Sequence, residues 1–171
     1  MNNPLTNGDY LDWCLRQEVF AERHYEELAR RPEVAEADRV LLRQLAAQER
    51  DHITSLQFVQ RLLRLAQELE IAFKLSAEQY QLLTACERET AGVKPAELSL
   101  AQGYALAKRM EERFFEVHCL LEQTSSNKEL ARLFRQLRTG DQEHFEALLR
   151  LRDRHAASPA AAAAPAKVGP A

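Results

Sequence analysis

Apolar residues recur every three or four positions through four long stretches of this chain, the period of a helix that buries one face. The first stretch sets Trp13, Gln17, Phe20, His24 and Leu28 along or beside one strip. It predicts a helix from about Tyr10 to Ala29, stopped at Arg30-Arg31-Pro32 because a residue before proline is pushed out of the helical region. A second helix is expected from Ala35–Asp38 onward, carrying Leu41, Leu45, Gln48, His52, Leu56 and Val59 at helical spacing. The connection between the two is short, so they must lie antiparallel. After Lys94-Pro95 the pattern returns. It predicts a third helix from about Glu97 to Gln123, a turn at Thr124 to Glu129, and a fourth helix from about Leu130 to Arg154.

Between these hairpins lies a stretch from about Ala66 to Ala96 that belongs to neither. Ser76 stands three residues before Gln79, the spacing of a capping box, and the stretch ends in AGVKP, a clear break. A connection of that length can carry the chain back along a bundle. The expected fold is therefore all-α, a four-helix bundle of two antiparallel hairpins joined by a long crossover, spanning residues 1–155. From 156 to 171 only small residues, proline, one lysine and one valine remain, so a disordered Ala/Pro-rich tail is expected.

Composition agrees with a single helical domain: 171 residues, with only 5 Gly and 6 Pro. A net charge of −3 provides no field that would recruit nucleic acid or an anionic membrane, so neither is an expected partner. The N-terminal stretch MNNPLTNGDYLDW has neither a basic nor an apolar targeting region, which points to a cytoplasmic protein. Cys14, Cys86 and Cys119 are widely spaced and form no Cys-x-x-Cys pair; they read as reduced thiols. Leu62, Leu63, Leu65 and Leu69 could form an exposed stripe through which the chain pairs as a homodimer.

Candidate chemistry enters through an internal repeat. LLRQLAAQERDH at Leu41–His52 and LFRQLRTGDQEH at Leu133–His144 stand 92 residues apart. Each ends in an acid followed three residues later by histidine, Glu49 with His52 and Asp141 with His144. A carboxylate and an imidazole one turn apart on a helix can reach a single metal ion. Acids are common here, so two such pairs alone would be close to chance; the shared frame around them is what marks a duplication. Upstream, Glu18 begins EVFAERHY and Glu111 begins EERFFEVH, and each acid is followed two turns later by a ring, Tyr25 or His118. His24 and His155 fit no part of the repeat.

This double unit resembles the rubrerythrin and ferritin-like di-iron carboxylate superfamily, over about Leu11 to Leu151. The resemblance implies a ferritin-like bundle whose two metal ions are held by Glu18, Glu49, His52, Glu111, Asp141 and His144, with Tyr25 and His118 supporting neighbouring carboxylates. In that set Glu49 and Glu111, or their mates, would bridge the ions. Four carboxylates would balance two divalent ions, most naturally iron, with manganese or zinc also suited to the donors. The chain departs from the family in three ways. Asp141 is one methylene shorter than the usual Glu, Gly140 beside it should loosen the helix, and Phe114 stands where rubrerythrins carry a further Glu. No rubredoxin-type cysteine pairs are present, so electrons would come from an external donor. The implied activity is oxidation of Fe(II) by dioxygen or hydrogen peroxide, a ferroxidase or peroxidase type of oxidoreductase. Rival readings are a di-iron oxygenase of a small organic substrate, with Phe20, Phe114 and Phe115 beside the centre, and a metal-free helical interaction module.

Overall fold

The computed structural model describes residues 5–73 and 75–156, and these are almost entirely helical. Helix α1 (Asn7–Arg30) begins three residues earlier than the apolar pattern indicates, because Thr6 and Asp9 form a reciprocal capping box. Helix α2 (Glu36–Leu65) follows a short turn in which Arg39 donates to the carbonyls of Arg31 and Val34. The second pair comprises α4 (Leu100–Thr124) and α5 (Lys128–Ala156). Its entry differs from expectation: Pro95–Glu97 form a separate 3-10 turn, and the helix proper starts only after the Ser99 capping box with Gln102.

Cross-helix pairs establish the directions. Gln60 reaches Asp12 while Arg50 reaches Glu22 and Glu26, so α1 and α2 are antiparallel. Arg135 meets Glu122 while Lys108 sits over the Phe145 ring, so α4 and α5 are antiparallel as well. His24 bonds the Gly103 carbonyl while Glu18 faces His118, so α1 and α4 are antiparallel; α2 packs on α5. It follows that α2 and α4 point the same way, and the segment between them must travel the length of the helices. That segment contains α3 (Ala77–Thr90), opened by the Ser76–Gln79 capping box and packed on α4 and α1. Upstream of it, residues Ala72–Phe73 (β2) pair antiparallel with Leu5–Thr6 (β1), which ties the crossover to the chain's start.

The inner face of α2 passes through Leu42, Leu45, Ala46, Glu49, Leu56, Val59 and Leu63. Leu41 is only partly buried and Gln48 is exposed, so the strip lies one position away from the predicted one at those two places. Phe20 is likewise only partly buried. The supposed Leu stripe divides: Leu63 is in the core and Leu69 packs against it, while Leu62 and Leu65 are exposed together with Phe58. At the crossing of α1 and α4 a Cβ on Gly103 would fall 2.6 Å from Leu28 Cδ2, so a larger residue there would force the buried Leu28 side chain to shift. Position 156 ends α5; residues 157–171, and with them the predicted disordered tail, lie outside the described residues, as does the His155 side chain. No described helix is long and apolar enough to cross a membrane.

Candidate metal centre

Each long helix turns a carboxylate inward at the same level of the core. Glu18 comes from α1, Glu49 from α2, Glu111 from α4 and Asp141 from α5, and all four are at most 1% exposed. Burying an ionised carboxylate costs several kcal/mol unless a partner compensates it. Four in one core demand protons or cations. The histidines one turn along, His52 and His144, bring their Nδ1 atoms among the carboxylates.

The donors sort into three groups, in each of which one atom per residue lies within 4.8 Å of the others. Glu18, Glu49 and His52 form one; Glu49, Glu111 and His144 form the second; Glu18, His118 and Asp141 form the third. Glu49 is shared by the first two through different oxygens. Its Oε2 lies 3.1 Å from His52 Nδ1 and its Oε1 lies 2.9 Å from His144 Nδ1. Glu111 belongs to one group only, with its Oε2 3.5 Å from His144 Nδ1. The sequence-derived ligands thus gather in one cluster, but Asp141 falls in the group with Glu18 and His118 and not in the one with Glu111 and His144.

Several of these atoms are close without being hydrogen-bonded. Glu49 Oε1, Glu111 Oε2 and His144 Nδ1 are buried and lack a partner of acceptable geometry, despite their short separations. Polar atoms orphaned in a core are costly, and lone pairs aimed at a common point rather than at one another are what a shared cation requires. The donor set, hard carboxylate oxygens with imidazole nitrogens, suits iron, manganese or zinc.

A further layer holds the carboxylates. The Tyr25 hydroxyl donates to Glu111 Oε1, crossing from α1 to α4, and His118 Nδ1 lies 2.7 Å from Asp141 Oδ2, crossing from α4 to α5. His24 is not in the cluster; its Nε2 bonds the Gly103 carbonyl at 2.8 Å and serves the helix crossing. Phe114 is a core residue, 1% exposed.

Electrostatics record the crowding. Burial, reinforced by Glu49, raises Glu18 to about 7. Burial and then Glu18 push Asp141 well above the carboxylate range, and burial raises Glu111. Glu49 goes the other way: burial and Glu111 disfavour its charge, but the His144 and His52 rings close against its two oxygens outweigh them and lower it. For His52, burial opposes the charged ring while Glu18 and Glu49 more than reverse this, taking it to about 12. His144 reaches about 11 by the same contest, with Glu111 as the main attraction. Burial lowers His118 to about 4. In the metal-free protein, protons therefore do the neutralising that cations would do.

Gly140 has a role opposite to the one its helix propensity suggests. A Cβ there would lie 2.4 Å from His52 Nε2 and 2.5 Å from its Cε1, so the missing side chain is the space the His52 ring occupies. No motif in the sequence signals this, since the contact joins α2 to α5. A groove of about 290 Å³ opens between those helices, lined by Gln48, Asp51, His52, Gly140, Glu143 and His144. A second, of about 580 Å³, is lined by Arg109, Glu111, Arg113, Phe115 and Phe145 among others. Comparison of the chain with protein-family models, with curated proteins and with solved structures gave no match, so the chemistry of this centre stands on its own residues.

Proposed function

We propose that the chain is a ferritin-like four-helix bundle of the rubrerythrin kind, whose two-ion centre oxidises Fe(II) with dioxygen or hydrogen peroxide. The observation that carries this reading is Glu49, fully buried and common to two groups that each contain a second carboxylate and a histidine. Such a residue would hold two ions at once, with Glu18 and His52 beside the first and Glu111 and His144 beside the second.

Iron held as a pair supplies two electrons, the number needed to reduce one peroxide. The protein's own part is positional and electrostatic. Carboxylate donors favour the ferric over the ferrous state. The Tyr25 hydroxyl fixes which oxygen of Glu111 faces His144, and His118 restrains Asp141. His52 and His144 surrender protons as ions bind, and the α2–α5 groove, with Asp51 and Glu143 on its walls, gives small ions and oxidants a route to them. Electrons beyond those of Fe(II) would have to reach the centre from outside the bundle, whose cysteines Cys14, Cys86 and Cys119 form no Cys-x-x-Cys pair.

Anaerobic titration with Fe(II) should saturate at two ions per chain, and admission of air should oxidise them faster than in buffer. Binding of fewer than one ion per chain, unchanged in Glu49→Gln, would refute the reading. A second reading, oxygenation of a small organic substrate, draws support from the wider groove, where Phe115 and Phe145 stand beside the ligand Glu111. Oxygen consumption coupled one-to-one to a small molecule, and not to added Fe(II), would favour it.

A further inference from the structure

We infer that His118 and Glu18 form a third seat for a divalent cation, oriented by Asp141 and sharing Glu18 with the first position. The inference rests on reading the cluster as a metal centre, and it assigns His118 a role beyond support of a carboxylate. His118 Nδ1 is 2.7 Å from Asp141 Oδ2, while its other ring nitrogen, Nε2, is 3.8 Å from Glu18 Oε1. With Asp141 ionised, the state a nearby cation favours, its carboxylate at Nδ1 selects the tautomer protonated there, and the Nε2 lone pair then points away from Asp141. Imidazoles that bind metals commonly show this arrangement: one ring nitrogen donates to a carboxylate, and the other is left basic and correctly aimed.

The atom opposite Nε2 is unsatisfied. Glu18 Oε1 is fully buried and makes no hydrogen bond, and Asp141 Oδ1 is in the same condition. Two facing acceptors in a dry core repel, and a cation between them converts that repulsion into coordination. A separation of 3.8 Å is within the span of two donors each about 2.1 Å from one ion. The ring cannot easily turn elsewhere, because it stacks on Phe134 with centroids 6.1 Å apart and planes 15° apart. The other Glu18 oxygen, Oε2, remains 3.3 Å from His52 Nδ1, so one carboxylate serves both seats. Four carboxylates balance two divalent ions, and a third buried ion would leave an uncompensated double charge. The new seat is therefore an alternative location for one of two ions.

Glu49 belongs to both other groups and is absent from this one, which isolates the test. Zinc is the probe. The wild-type chain should bind two Zn(II), Glu49→Gln should retain one, and Glu49→Gln combined with His118→Phe should bind none. In crystals of zinc-loaded Glu49→Gln, anomalous scattering should place the ion within about 2.3 Å of His118 Nε2. An ion found on His52 with His118 uncoordinated, an ion that survives His118→Phe, or Glu49→Gln protein with no zinc would each overturn the inference while leaving a two-ion wild type intact. A wild-type chain that binds no zinc and no iron would overturn the underlying metal reading as well. Should the double variant fail to fold, the position of the scattering peak in the single variant decides.

Discussion

Replacing Gly140 with alanine tests whether the His52 ring must lie where it does. The methyl group would stand 2.4 Å from Nε2, about 1 Å short of ordinary contact, so either the ring or the α2–α5 spacing must give by that amount. The ring is the softer element: its side chain is 14% exposed, on the groove, whereas α2 and α5 are joined by a packed core. Displaced by about 1 Å, Nδ1 loses its approach to Glu18 and Glu49, now 3.3 Å and 3.1 Å away. Loss of merely supporting contacts weakens metal binding roughly 10–100-fold. Loss of a direct ligand should exceed that, so at least 100-fold is expected at the first position, about 3 kcal/mol. The second position, built on Glu111 and His144, should change little. The same substitution adds helix propensity worth up to about 1 kcal/mol in α5. That gain offsets part of the loss of the His52 contacts with Glu18 and Glu49, so the metal-free variant should remain folded while the first ion is lost in calorimetric titration. Wild-type affinity for both ions would refute the assignment of Gly140 as the space for His52.

Loading should release protons. His52 at about 12 and His144 at about 11 both hold a proton at neutral pH in the metal-free state, and each must lose it to bind. Protons therefore compete with metal, and the joint affinity for the ion pair should fall at least about 100-fold per unit decrease in pH near neutrality, the raised Glu18 and Asp141 adding to the two histidines. Dye-monitored proton release of fewer than two per chain would contradict this. Tyr25→Phe removes the donor to a buried carboxylate and should cost about 1–3 kcal/mol of stability in the metal-free protein, together with weaker binding at the second position; an unchanged melting temperature and titration would count against it. His24→Ala should lower the melting temperature through the lost bond to the Gly103 carbonyl, yet leave metal stoichiometry intact. A change in stoichiometry would place His24 in the centre, contrary to its contacts.

What can be read from the sequence is local or periodic. The four long helices follow from apolar spacing, the crossover's helix from Ser76 and Gln79, and the cluster from residues recurring in a shared frame. The start of α1 escapes the apolar pattern because its capping pair, Thr6 and Asp9, precedes the strip. On α2 the expected strip is displaced toward Leu41 and Gln48 because several adjacent positions are apolar, and one-turn spacing does not choose among Leu41, Leu42 and Leu45. Contacts between helices far apart in sequence leave no local trace. Gly140 looks like a defect of α5 until the ring from α2 is seen to fill its space, and the contact of Asp141 with His118 joins residues of α5 and α4 that stand 23 positions apart.

The duplication also explains where the centre is asymmetric. Tyr25 and His118 occupy matching places, two turns beyond Glu18 and Glu111, so the two halves would make equivalent contacts if each ring crossed to the opposite half's acid. Tyr25 does so and donates to Glu111. His118 approaches Glu18 only to 3.8 Å and spends its close contact on Asp141 instead. The shorter side chain of Asp141 accounts for the exchange: lacking the methylene that lets Glu49 reach two groups, it is held by the ring beside it and leaves Glu18 Oε1 without a partner. Asp141→Glu should then restore the reach, bring this carboxylate toward Glu111 and His144, and free His118 from its close partner. If the bridging role depends on that one methylene, the variant should bind the second ion more tightly and weaken the seat on His118, measured as zinc affinity in the Glu49→Gln background. Equal affinities with and without the Asp141→Glu substitution would show that helix rotation, and not side-chain length, sets the asymmetry.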